Sequence, residues 1–148
     1  MGLQIMNIVL ADDDADDRML FEEAIGEIDI STKLLMFNDG KQLLDHLLAP
    51  DAILPEIVFL DLNMPVKDGM QCLKEIRENE VLRNLCVAIY STSSSEEDIE
   101  ETFVHGANIY INKPNSFSAL KKALARVLKI NWQYHTSALN RDNFLLRL

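Results

Sequence analysis

The chain has 148 residues, 48% of them hydrophobic and 26% charged, with a formal net charge of −10 at neutral pH. That length suits one domain with a sizeable core, and the charge argues against nucleic acid or an anionic membrane as the main partner, since both repel an acidic surface. No apolar run approaches the roughly 20 residues needed to span a bilayer, and Met1-Gly2-Leu3-Gln4 lacks the basic region and apolar core of a signal peptide. A cytoplasmic protein with no membrane contact is the expectation. Cys72 and Cys86 have neither a metal-site nor a redox spacing and read as buried, reduced thiols.

In chain order, residues 5–11 form an apolar run broken only by Asn7, and it ends in Asp12-Asp13-Asp14. Over residues 16–28, Leu20, Phe21, Ala24, Ile25 and Ile28 recur at helical spacing. Acids crowd the front of this helix, where the macrodipole favours them, and Asp14 or Asp16 suits its N-cap. A second strand is expected over 33–37. Asn38-Asp39-Gly40 then leads into a short helix bearing Leu43, Leu44, Leu47 and Leu48, which Pro50 ends.

The run Ile57-Val58-Phe59-Leu60 reads as a strand buried on both faces, and it passes straight into Asp61. After Gly69, Met70, Leu73 and Ile76 make a helical stripe, and residues 85–90 form a fourth strand. Glu96-Glu97-Asp98 opens a helix with Ile99, Phe103 and Val104, stopped by Gly106. A fifth strand over 109–112 precedes Lys113-Pro114, and a last helix buries Leu120, Leu124, Val127 and Leu128. Strand and helix alternate five times, which predicts an α/β fold with a parallel sheet covered on both faces.

Parallel strands bring their C-terminal ends to one edge of the sheet, where ligands bind in such folds. The first ends at Asp12 and Asp13, the third at Asp61, the fourth at Ser91 and the fifth at Lys113. Three carboxylates at close range either raise a pKa or recruit a cation. Few oxygen ligands shared with water suit Mg²⁺, and a hydroxyl and an ammonium opposite the cation would complete a phosphate-sized pocket. Taken singly, Asp12 and Asp13 could be caps, Ser91 a loop hydroxyl and Lys113 a surface lysine. Asp61 resists that reading, because a carboxylate ending a buried strand is costly without a partner.

These segments resemble the receiver domain of two-component response regulators. The resemblance rests on Ile8-Val9-Leu10-Ala11-Asp12-Asp13-Asp14, on Asp61-Leu62-Asn63-Met64-Pro65 through Asp68-Gly69, on Tyr90-Ser91-Thr92, on Gly106-Ala107-Asn108 and on Tyr110-Ile111-Asn112-Lys113-Pro114. It implies a doubly wound, flavodoxin-like five-stranded sheet of order 2-1-3-4-5. It also implies Asp61 as phosphoacceptor, with Asp13 and Asp61 on Mg²⁺, Asp12 contacting the ion through water and the Asn63 carbonyl as a further ligand. Ser91 and Lys113 would hold the phosphoryl oxygens, Tyr110 would be the switch aromatic that turns inward, and a cis bond would precede Pro114.

The implied partner is a sensor histidine kinase or phosphotransfer protein, with the output on the 96–130 surface. The run Ala15-Asp16-Asp17-Arg18 is similar to single-domain receivers that partner phytochrome-type sensors. The domain is expected over residues 1–130. Residues 131–148 form a C-terminal tail whose Trp132, Tyr134, Phe144, Leu145 and Leu146 suit either self-packing or a homodimer contact. No DNA-binding or enzymatic output domain is expected within this length. An aspartyl phosphatase of the haloacid-dehalogenase type would need an acid two residues beyond the nucleophile, and Asn63 stands there. A flavin-binding relative would meet three acids where its phosphate loop belongs.

Overall fold

The computed structural model describes residues 5–129; residues 1–4 and 130–148, which include the tail, lie outside the described residues. Five strands form one sheet: β1 (Met6–Ala11), β2 (Thr32–Phe37), β3 (Ile57–Leu60), β4 (Val87–Ser91) and β5 (Ile109–Asn112). All pairings are parallel, in the order β2-β1-β3-β4-β5. The helices are α1 (Ala15–Gly26), α2 (Gly40–Leu47), α3 (Gly69–Glu78), α4 (Glu96–Val104) and α5 (Phe117–Lys129).

The strand period of two divides the core into two layers. Val9, Ala11, Val58, Leu60, Val87 and Ile89 face α2, α3 and α4, where Leu43, Leu47, Leu73, Ile76 and Ile99 close the layer. Ile8, Leu10, Ile57, Phe59, Ala88 and Tyr90 face α1 and α5, against Phe21, Ala24, Ile25, Leu124 and Val127. Phe21 packs edge-on against both Phe59 and Tyr90, with centroids 5.0 and 5.6 Å apart. β3 and β4 are buried along their whole length, as their unbroken apolar runs require, whereas β2 at the sheet edge alternates in exposure.

Local chemistry sets the helix ends. Asp14, Asp39, Asp68 and Ser95 cap α1, α2, α3 and α4, each side chain accepting a backbone N–H of the first turn. Gly106 follows α4 at φ +93°, the left-handed conformation that terminates helices at glycine. Arg77 at the end of α3 donates to the Gly106 and Leu85 carbonyls and to Asn108 Oδ1, which fixes the turn into β5. Cys72 and Cys86 are free and buried, and burial pushes both thiols up to about 12, so neither is a thiolate at neutral pH.

Leu48, Leu20 and Val104 depart from the expected buried stripes. Leu48 is the C-cap of α2 and 53% exposed, while Leu20 and Val104 also face outward. Gly69 has a steric role: a Cβ there would overlap the Asp61 carbonyl oxygen, and its N–H donates to the Leu62 carbonyl at 2.9 Å. Gly69→Ala is therefore expected to cost on the order of 2 kcal/mol through forced backbone shifts, read as a lowered urea midpoint. An unchanged midpoint would show that the Asp61 turn yields freely.

Candidate functional site

Hydrogen bonding between strands fixes where the polar groups emerge. The Asp61 N–H donates to the Ala11 carbonyl at 3.0 Å, and the Lys113 N–H donates to the Ser91 carbonyl at 2.7 Å. Asp12, Asp61, Ser91 and Lys113 thus share the C-terminal edge of β1, β3, β4 and β5, as the alternation predicts. Asp12 is wholly buried and Asp61 is 5% exposed, while Asp13 is exposed at the rim. One carboxylate oxygen from each of Asp12, Asp13 and Asp61 falls within 4.8 Å of the others.

Lys113 crosses this edge. Its Nζ lies 2.8 Å from Asp12 Oδ2, 2.8 Å from Asp17 Oδ2 and 3.4 Å from Asp61 Oδ2. The Tyr90 ring lies beneath the ammonium, 5.2 Å away at its centroid. Burial alone would lower the Lys113 pKa, but pairing with the Asp12 and Asp17 carboxylates and the Asp61 charge outweigh it, holding the ammonium above its ordinary range. Burial pushes the Asp61 carboxyl up to about 6; Lys113 opposes the rise and the Asp12 charge adds to it.

The donor set fits a divalent cation. Asp12 Oδ1 accepts the Asp14 N–H at 2.9 Å, but buried Oδ2 has no hydrogen-bond donor among the described residues. Lys113 is close to that oxygen as an ion pair without hydrogen-bond alignment, so half of a buried carboxylate is left partly compensated. Hard oxygen ligands that lack donors are what Mg²⁺ or Mn²⁺ accepts. Asn63 follows in the exposed turn, its N–H 3.4 Å from Asp61 Oδ1.

The β4 side carries the hydroxyl and the aromatic ring. Ser91 is fully buried, and its Oγ accepts the Ser93 N–H at 3.1 Å. Tyr110 is also fully buried, so the ring stands inward, and its hydroxyl donates to the Ser93 carbonyl at 2.8 Å. Asn112 Nδ2 donates to the same carbonyl at 2.9 Å, and Ser93 Oγ donates to Asp98 Oδ2 at 2.6 Å. The β4–α4 loop is thereby tied to both β5 and α4. Tyr110→Phe is expected to lower stability by about 1 kcal/mol, the net worth of one such bond. It should also speed amide exchange over residues 92–95. Exchange at the wild-type rate would mean that the hydroxyl does not hold the loop.

One expectation is corrected. No peptide bond among the described residues is cis, so the Lys113–Pro114 bond is trans. Trans is the lower-energy form even before proline, by about 0.5–1 kcal/mol, and Lys113 reaches the acids from it. Two features escape the sequence reading. Asp17, read there as a helix-front acid and as part of the run Ala15-Asp16-Asp17-Arg18, is a direct partner of Lys113. Val66, in the turn between Asp61 and α3, has φ +67° and is 77% exposed, a strained setting for a β-branched residue.

Comparison with known proteins agrees with this fold. A family model described as the response regulator receiver domain matches residues 8–125. The probable methanogenesis regulatory protein FilR2 of Methanothrix harundinacea is 32% identical over 123 residues, covering 81% of this chain and 79% of the relative. Response regulator Rcp1 of Synechocystis is 29% identical over 119 residues, covering 78% and 81% respectively. Among solved structures, the phosphorylated cyanobacterial phytochrome response regulator RcpA superposes with a TM-score of 0.78 at 27% identity, covering 93% of this chain and 98% of that one. The Mn²⁺-bound form of Rcp1 gives a TM-score of 0.76 at 25% identity, covering 91% and 97%. An edge that gathers three carboxylates, a lysine and a buried hydroxyl, on a sheet of order 2-1-3-4-5, is therefore found where the family model runs, and the chain belongs to the response regulator receiver domain family of two-component signalling.

Proposed function

We propose that Asp61 accepts a phosphoryl group from the phosphohistidine of a sensor histidine kinase or phosphotransfer protein, in a Mg²⁺-dependent reaction. The observation that carries this reading is the convergence on Asp61 of Asp12, Asp13 and Lys113 at the end of a fully buried strand. An Asp61 carboxylate oxygen forms the new bond to phosphorus as the P–N bond breaks, and the departing imidazole keeps the electron pair and takes up a proton from solvent. Asp61 becomes an acyl phosphate. Lys113 offsets charge on the equatorial oxygens, and Ser91 donates its hydroxyl to one of them, the positioning and charge stabilisation that phosphoryl transfer needs.

Asp13 and Asp61, the Asn63 carbonyl and, through water, Asp12 would hold Mg²⁺, whose charge neutralises the phosphoryl oxygens. The Mn²⁺-bound form of Rcp1 supports a divalent ion here. Ser91 engaging the phosphoryl group draws on the loop that Tyr110, Asn112 and Asp98 hold, so the added charge reaches α4 and β5. Contact between that surface and a protein partner is the output this reading implies. Likeness to RcpA, a phytochrome response regulator, makes a photoreceptor kinase the first input to try.

The test is labelling by acetyl phosphate or a phosphorylated kinase, followed by mass spectrometry of the Asp61 peptide. A phosphoryl mass shift that needs Mg²⁺ is expected. A wild-type protein that stays unlabelled, or carries the label elsewhere, overturns the reading.

A further inference from the structure

Lys113 is shared by three acids, and they are not equivalent. Asp12 and Asp61 belong to the carboxylate trio that suits a divalent cation, whereas Asp17 lies outside it. Asp17 sits in the first turn of α1, with its N–H donated to the Asp14 cap at 2.9 Å. Arg18 Nη1 next to it donates to the Asp12 carbonyl at 2.7 Å, pinning this turn to the end of β1. The Asp17 carboxylate is thereby held 2.8 Å from Nζ, on a lysine whose side chain is 9% exposed.

A conflict follows from these positions. Asp12, whose Oδ2 lies 2.8 Å from the ammonium, also contributes a carboxylate to the trio that would hold the cation. A divalent ion there repels the ammonium, and at this depth the repulsion is weakly screened. Lys113 must then give up Asp12 without leaving the site, since it is needed beside Asp61. Asp17 already touches Nζ and is not needed by the cation.

The geometry points to Asp17 as a positioning residue, the seat onto which Lys113 withdraws when a divalent cation takes Asp12, Asp13 and Asp61. This rests on the phosphoacceptor reading above. With Asp17 gone, the ammonium has only the oxygens the cation requires, so cation and lysine compete. Asp16, one residue earlier, is exposed and is not a partner of Lys113, yet it carries the same charge.

Mg²⁺ dissociation constants measured by calorimetry separate the seat from general electrostatics. Asp17→Asn is expected to weaken Mg²⁺ binding by about tenfold, within the couplings seen inside one ion-pair network. Asp16→Asn should weaken it far less. The half-saturating Mg²⁺ concentration for labelling by acetyl phosphate should rise by the same factor in Asp17→Asn, with a smaller effect on the plateau rate. In a Lys113→Gln background the Asp17→Asn effect should shrink to that of Asp16→Asn. Equal effects of the two Asn variants, or an Asp17 effect that persists without Lys113, would overturn the assignment. Failure of the wild type to bind Mg²⁺ would instead overturn the phosphoacceptor reading, and the seat with it.

Discussion

Asp61→Asn is expected to abolish labelling and, at neutral pH without metal, to make the protein more resistant to urea. The loss of labelling follows from replacing the attacking carboxylate by an amide. The gain in stability follows from electrostatics. Burial lifts the Asp61 carboxyl from 3.8 to about 6, with Lys113 opposing the rise and Asp12 adding to it. The folded protein therefore holds this proton more tightly than the unfolded chain. As pH rises between those two values the fold loses a proton it favours, and stability falls through that window. Above it the cost is fully present, on the order of 2–3 kcal/mol for a shift of this size.

An amide of the same shape removes that cost and leaves Lys113 paired with Asp12 and Asp17. Urea midpoints in chelator should therefore favour Asp61→Asn at neutral pH and converge with wild type only below about pH 3, where Asp61 is protonated in the folded state and in most of the unfolded chain. A variant less stable than wild type, or a gain that does not change with pH, would contradict the account. Mg²⁺ should narrow the difference from the other side, because it stabilises the wild-type carboxylate.

The parts of this site that could be read in the sequence are those whose signal is local. The apolar runs of β3 and β4 announce strands buried on both faces, and once the strands are parallel their terminal residues must share an edge. Asp12, Asp13, Asp61, Ser91 and Lys113 follow from that step alone. What escaped depends on distances that no spacing encodes. Asp17 and Lys113 are 96 residues apart, and only the packing of α1 beside the segment that leaves β5 joins them. Before folding, Asp17 cannot be told from the other acids that favour a helix N-terminus.

Other misses have different causes. Leu48 continues the apolar spacing of α2 but falls at its C-cap, where the helix ends and the side chain turns to solvent. Val66 adopts a left-handed φ that its β-branched side chain resists, so residue type pointed away from the conformation the turn imposes. Asp14, by contrast, was one of two candidate caps, and the structure selects it because its carboxylate meets the Asp17 N–H.

Lys113→Ala should expose the other side of the same balance. The substitution leaves Asp12, wholly buried, and Asp61 without their shared cation. Breaking a buried pair by removing one partner costs about 3–5 kcal/mol, because the remaining charge keeps its desolvation penalty. Here the lower end is expected, since Asp61 can relieve part of the strain by taking up a proton. Mg²⁺ supplies positive charge to the same oxygens, and ligand at roughly a hundredfold excess over its dissociation constant adds about 2.7 kcal/mol. The variant should therefore be markedly less stable than wild type in chelator and recover most of the loss in Mg²⁺. The wild type should gain less, because its ammonium already compensates those acids and must move to Asp17 before the ion can bind. Paired urea titrations with and without Mg²⁺ measure both differences. A Mg²⁺ gain in Lys113→Ala no larger than in the wild type would mean that the lysine and the cation do not serve the same carboxylates.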